Sequence, residues 1–250
     1  MSASRQANRG AIISFLSSLR STVDLIRLRH YHLDDDVPLS GAGPVLLLGS
    51  APTATVPADY GPHWRLVCVN ASQAGGARLG LGDPDLTILR SGLFASGKVD
   101  LEAVDALRGR RSRHVLFRGE APELEDTRRR LAEIDYRFDT LGMLGLAQRE
   151  RIILSGCGGL LNLIRVNRNI SNGMLALFCC LDLFDGPIVM SGFSFSVAGH
   201  AYSASNLPRN HIAHDAFALR LIGQQGCRVF VSNRAFAAES GLPVWSEKTK

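Results

Sequence analysis

Two spacings of apolar residues alternate along the chain. Short continuous runs bounded by Gly, Pro or polar residues read as strands buried on both faces: Pro44 to Gly49 (PVLLLG), Trp64 to Val69, Asp85 to Leu89, Arg113 to Arg118, Pro187 to Ser191 and Cys227 to Val231. Between and before them lie stretches with helical spacing: Ala11 to Arg29, Glu123 to Ile134, Met174 to Phe184 and His214 to Gly223. Strands alternating with helices predict an α/β fold, a mostly parallel Rossmann-like sheet with helices on both faces and ligand at the strands' C-terminal edge. Residues 1–40 form an N-terminal extension carrying the amphipathic helix, and residues 41–250 a single nucleotide-binding domain. Leu141 to Leu154 reads as a link ending in the glycines around Gly156 to Gly159, Phe193 to Arg209 as a long active-site or lid loop, and Phe236 to Lys250 as a surface tail docked through Pro243 and Trp245.

The apolar side of the first helix carries Ile12, Phe15, Leu16, Leu19, Val23 and Ile26, with Arg20, Arg27 and Arg29 on or beside its polar face. A membrane-surface helix and a helix packed on the domain or on a neighbouring subunit share this pattern, and the packed arrangement is the commoner. No run approaches the about 18 apolar residues of a membrane span, and Ala11 to Leu19 has no convincing cleavage site behind it. The net charge of +5, carried mostly by Arg, suits an acidic substrate or an anionic surface. The basic residues are scattered and aromatics are only 7%, which argues against nucleic acid. Five cysteines (Cys68, Cys157, Cys179, Cys180, Cys227) are an odd number with no metal-like spacing, and adjacent Cys179 and Cys180 read as small core residues of an apolar helix. Together they suit a reducing, cytoplasmic compartment, with peripheral association at the inner membrane left open. His30, His32 and Asp34 to Asp36 precede the first strand, away from the edge where ligands collect, so they read as a solvated turn rather than a metal site.

The chemistry concentrates between Arg165 and Asn206. Ser171-Asn172-Gly173 open a helix that is apolar nearly all round, and the strand after it ends in Gly192-Phe193-Ser194. A helix start of this kind presents free N–H groups and positive dipole to an anion; a capped, buried helix without ligand has the same sequence. The first strand ends at Gly49-Ser50, a turn that lets backbone approach a ligand, and the second at Asn70.

ISNGMLALFCCLDLFDGPIVMSGF resembles the small sialyl motif of sialyltransferases. GHAY and HIAHDAFALRLIGQQGCRVFV resemble the later motifs of that superfamily, and the segment from Pro44 to Gly75 its large motif. The resemblance spans roughly residues 44–75 and 165–233. It implies a variant of the GT-A type of fold and an inverting, metal-independent transfer of an acidic sugar from a CMP-sugar to a glycan or glycolipid acceptor, with no cofactor. The sugar is sialic acid or 3-deoxy-D-manno-octulosonic acid (Kdo), and the setting polysaccharide biosynthesis; acceptor, linkage and oligomeric state stay open. His214 falls at the catalytic histidine, with His211 as the rival base. Gly49, Ser50, Asn70, Ser171, Asn172, Gly173, Gly192, Phe193, Ser194, His200 and Tyr202 fall at or beside the donor. Ser50 replaces a loop asparagine, Ser196 a tyrosine, and Leu219 the acidic residue of the animal-type enzymes. A non-catalytic nucleotide- or sugar-binding protein of the same fold is the alternative reading.

Overall fold

A computed structural model describes residues 33, 37–39, 41–90, 92–94, 101–157, 170–203, 211–226 and 228–246. The amphipathic stretch Ala11 to Arg29 and the polar cluster His30, His32 and Asp34 to Asp36 lie outside the described residues.

Seven parallel strands form one sheet in the order β5-β4-β3-β2-β1-β6-β7. They are β1 (Val45–Leu48), β2 (Arg65–Val69), β3 (Leu86–Leu89), β4 (Arg111–Arg118), β5 (Arg137–Leu144), β6 (Ile188–Ser191) and β7 (Val229–Val231). The chain lays down β1 to β5 in one direction and then returns to β1's other side with β6. Leu47 therefore faces Val67 on one flank and Met190 on the other. The central runs VLLL, LTIL and IVMS are buried at every position, which is why they lack alternation.

Seven described helices cover both faces: α1 (Gln73–Arg78), α2 (Leu101–Leu107), α3 (Ala121–Glu133), α4 (Leu146–Cys157), α5 (Asn172–Leu183), α6 (Ile212–Gln224) and α7 (Arg234–Ser240). Leu47, Val67, Ile88, Leu116, Leu144 and Met190 pack against α4, α5 and α6. Val115, Phe117 and Leu89 point the other way, onto α2 and α3. Phe178 on α5 is 1% exposed, a burial that contributes about 1.5–3 kcal/mol relative to leaving the ring in water. Leu33, Val37 and Leu39 join the same core, and the Leu33 N–H donates to Asp182 of α5 at 3.3 Å. Four described cysteines are free and buried, and burial pushes the Cys68 thiol up to about 12.

The structure corrects three expectations. The link from Leu141 is the end of β5, a break at Gly145 and helix α4, whose entry is fixed by Gln148 Oε1 accepting from Gly145 N at 2.6 Å. The surface tail docks through Pro243 and Trp245 as expected, but it begins as a helix, α7, followed by an extended segment. Asn233 caps α7 by accepting from Phe236 N at 2.9 Å, Gly241 ends it at φ 75°, and Trp245 N donates to Val231 O, covering the edge of β7. On α3, Arg129 pairs with Asp126 and Glu133 and Glu125 with Arg128, so the expected Glu125–Arg129 pair is not made.

Candidate functional site at the switch point

Strand order reverses between β1 and β6, so the loops leaving their C-terminal ends diverge and open a crevice there. At its base Gly49 N donates to Ser191 O and Ala51 N to Gly192 O, both at 2.7 Å. A Cβ on Gly49 would lie 2.5 Å from the Gly192 carbonyl oxygen and 2.9 Å from the Phe193 ring. Gly192 adopts φ +70°, and Phe193 lies against Gly173 at the start of α5 while stacking on Phe236 at 6.1 Å. Phe193 is thus the wedge that sets α5's first turn against the β1 and β6 loops.

The loop after β6 folds back over the turn after β1. Ala201 N donates to Ser50 O at 2.7 Å, and Ser50 Oγ lies 2.7 Å from His200 Nδ1. His200 stacks on Tyr202, with ring centroids 5.1 Å apart and planes at 3°. The start of the loop is held from α7: Glu239 accepts from Ser194 Oγ, Ser196 Oγ and Phe195 N. Partial burial pushes Glu239 up, but the bonds from Ser196, Phe195 N and Ser194 outweigh it and hold its carboxyl below the usual range. Ser194 is therefore buried with its hydroxyl engaged by Glu239.

Two strands along, Asn70 leaves β2 in the left-handed region at φ 51°. Its Oδ1 accepts from Arg90 N at 2.9 Å and from Asn172 Nδ2 at 3.1 Å, although Asn172 is 102 residues away. Asn172 Nδ2 also reaches Ile88 O at 3.3 Å, while its Oδ1 is buried with no partner. Ser171 caps α5 by accepting from Met174 N at 3.1 Å.

The two histidines stand at the start of α6, His211 exposed just before it and His214 half-buried in its first turn. Asp215 ties that turn to α5, its Oδ1 accepting from Ser171 N at 2.9 Å. Sequence reading missed Asp215, and its bond changes the anion site. Of the N–H groups expected to face an anion, that of Ser171 is taken by a carboxylate, leaving those of Asn172 and Gly173 without an intrahelical acceptor. Burial raises the Asp215 pKa above its ordinary 3.8, while bonds from Ser171 and the nearby His211 and His214 pull it back without cancelling the rise. Asp215 is thus a buried carboxylate kept at net electrostatic cost beside two histidines, which makes it a candidate site residue. Folded protein here binds more protons than unfolded from pH 3.8 up to the raised value, so stability falls as pH rises through that window. Asp215→Asn should remove this fall, and urea titrations of both proteins from about pH 4 to 7 check it. Identical slopes would contradict the assignment.

A groove of about 590 Å³ between α6 and α7 is lined by Leu219, Val229 and Leu242 among others, and of the groups above it shares only Glu239. The polar groups above gather instead at the C-terminal edge of the sheet. No group of three or more metal-ligating side chains is assembled among the described residues, and no helix among them is long and apolar enough to cross a membrane.

No family model matches the chain, and no curated protein matches it. Solved structures do. The Campylobacter jejuni sialyltransferase CstII, in complex with the substrate analogue CMP-3FNeuAc, is 12% identical with a TM-score of 0.50, covering 81% of this chain and 86% of that one. Two single-residue variants of Cst-II in complex with CMP align with TM-scores of 0.52 at 10% and 11% identity, each over 83% of this chain and 88% of the other. At these identities the comparison establishes the fold: this chain is built like those sialyltransferases.

Proposed function

We propose that the chain, sharing the sialyltransferase fold, moves an acidic sugar from a CMP-activated donor to a hydroxyl of a glycan or glycolipid acceptor, with inversion and without a metal ion. The observation that carries this reading is the convergence at one sheet edge of two histidines, an α5 start and the Ser50–His200–Tyr202 cluster. It is supported by the CMP complexes known for chains of this fold.

In this mechanism Asn70 and Asn172 flank the nucleotide and Gly49 and Gly192 let backbone approach it. The phosphate faces the Asn172 and Gly173 N–H groups, with His200 and Tyr202 donating from the loop. The acceptor oxygen forms a bond to the anomeric carbon while the bond from that carbon to the phosphate oxygen breaks, and CMP leaves with the electron pair. His214, or His211 one turn before it, takes the acceptor proton, and the resulting imidazolium is opposite in charge to ionised Asp215. The donor sugar is sialic acid or Kdo.

Calorimetric titration with CMP, followed by an assay of CMP release from CMP-sialic acid and CMP-Kdo with and without acceptors, tests the reading. Binding without release from any donor would favour a non-catalytic nucleotide-binding protein. Because helix N–H groups and side chains supply all the phosphate contacts, activity should persist in EDTA. Complete loss restored by Mg²⁺ or Mn²⁺ would overturn the metal-independent mechanism.

A further inference from the structure

The site's edge continues past Asn70 toward β4 and β5. Strands are spaced about 4.8 Å apart, so the end of β4 lies roughly 10 Å across the edge from the end of β2. There Arg118 closes β4, in register with Leu144, the last residue of β5. Gly119 N donates to Leu144 O at 3.4 Å, and one residue on, Gly145 O accepts from Arg149 N of α4 at 3.1 Å. This brings the two arginines together, both half-buried, on the sheet face that also carries α5. The Arg118 Nε is buried without a hydrogen-bond partner, and Arg118 makes no ion pair among the described residues. Among the described residues Arg149 Nε reaches only Gly145 O, at a long 3.4 Å. By contrast the half-buried Arg151 has a carboxylate, Asp182, at 3.1 Å.

Burial, and then the like charge of Arg149, pushes Arg118 below the ordinary arginine range. Burial does the same to Arg149, with Glu120 and Glu150 near enough to favour its charge. Glu120 and Glu150 offset the charge of Arg149 alone, so Arg118, half-buried with an idle donor and a like charge beside it, costs stability unless a further anion joins the pair. Their forked donors match the oxygens of a carboxylate or a phosphate. The pair lies beyond the donor phosphate's contacts at β1 and the α5 start.

We propose that Arg118 and Arg149 form a subsite for an oxyanion carried by the acceptor, so that the chain selects acidic glycans. The inference rests on the transferase reading above for the word acceptor, and its test is separable from that reading. With the donor site filled by CMP, wild-type protein is titrated with methyl phosphate and, in a second arm, with the methyl glycoside of N-acetylneuraminic acid, following the arginine Nε–H resonances by NMR. Saturable shifts at Arg118 and Arg149 are expected with at least one anion, and the arm that binds tighter identifies phosphate or carboxylate as the group. Arg118→Gln and Arg149→Gln should each weaken that binding by roughly 10–100-fold while leaving CMP affinity unchanged. If Arg118→Gln fails to fold, Arg149→Gln decides alone. Absence of saturable shifts in both arms, equal binding by the variants, or a fall in CMP affinity with substitution would overturn the subsite. Failure of CMP to bind wild type while the anion shifts persist would instead strike the transferase reading.

Discussion

His214→Ala is expected to slow transfer by about 10²–10⁴-fold, the usual worth of a positioned general base, with CMP affinity little changed. His214 is half-buried in the first turn of α6, and Asp215 beside it anchors that turn to Ser171 at 2.9 Å. The helix carrying the histidine is therefore fixed against the helix start proposed to hold the phosphate. Removing the imidazole leaves that anchor and the Ser50–His200–Tyr202 cluster in place, so donor binding should survive. His211 lies one turn earlier on the same side of the helix start, exposed, and is the control. Steady-state rates at saturating donor and calorimetric CMP affinities on both single variants separate the roles. A rate lost only in His211→Ala moves the base to His211. Weak CMP binding with near-normal saturated turnover in His214→Ala would make His214 a donor-binding residue, and no slowing in either variant would end the histidine mechanism.

The core strands were readable from sequence because a parallel strand covered on both faces has no polar side to show. VLLL at β1 and IVMS at β6 announce themselves by composition alone. β5 did not, because it is an edge strand whose residues are half-exposed and include Gly142, so RFDTLGML resembles a link. Losing β5 also hid the arginine pair, which exists only once Arg118 and Leu144 are in register. The signals for α7 were present, Asn233 before it and Gly241 after it, but seven residues carry too little periodicity to stand out. The candidate site was legible as separate strand ends and a helix start. Its ties were not: Asp215 to Ser171, Glu239 to the loop after β6 and Asn172 to Asn70 join residues 44, 45 and 102 positions apart. Nothing in local sequence distinguishes Asp215 from an ordinary first-turn acid.

Gly49→Ala is expected to damage both the fold and the crevice, because its new methyl has nowhere to go. The Cβ would stand 2.5 Å from the Gly192 carbonyl oxygen, a backbone atom that no rotamer change can move, and 2.9 Å from Phe193. Relief requires β1 and β6 to part just where their C-terminal loops diverge, or Phe193 to leave its place against Gly173. Overpacking of this kind costs about 1–3 kcal/mol, or roughly 2–12 °C in Tm for a chain of this size. The same displacement should move Ser50 away from His200 and weaken CMP binding by at least about tenfold, the equivalent of 1.4 kcal/mol. Gly192→Ala meets the mirror contact, 2.5 Å from the Gly49 carbonyl, and adds the strain of a side chain at φ +70°. Once either residue has forced the strands apart, the second methyl meets less resistance, so the double variant should lose less than the sum of the singles. Gly82→Ala is the control, since a Cβ there meets nothing within 4 Å. Thermal unfolding and CMP titration of the four variants decide the matter, and a Gly49→Ala protein that melts lower than Gly82→Ala yet binds CMP as well would show that the β1–β6 crevice is not the nucleotide site.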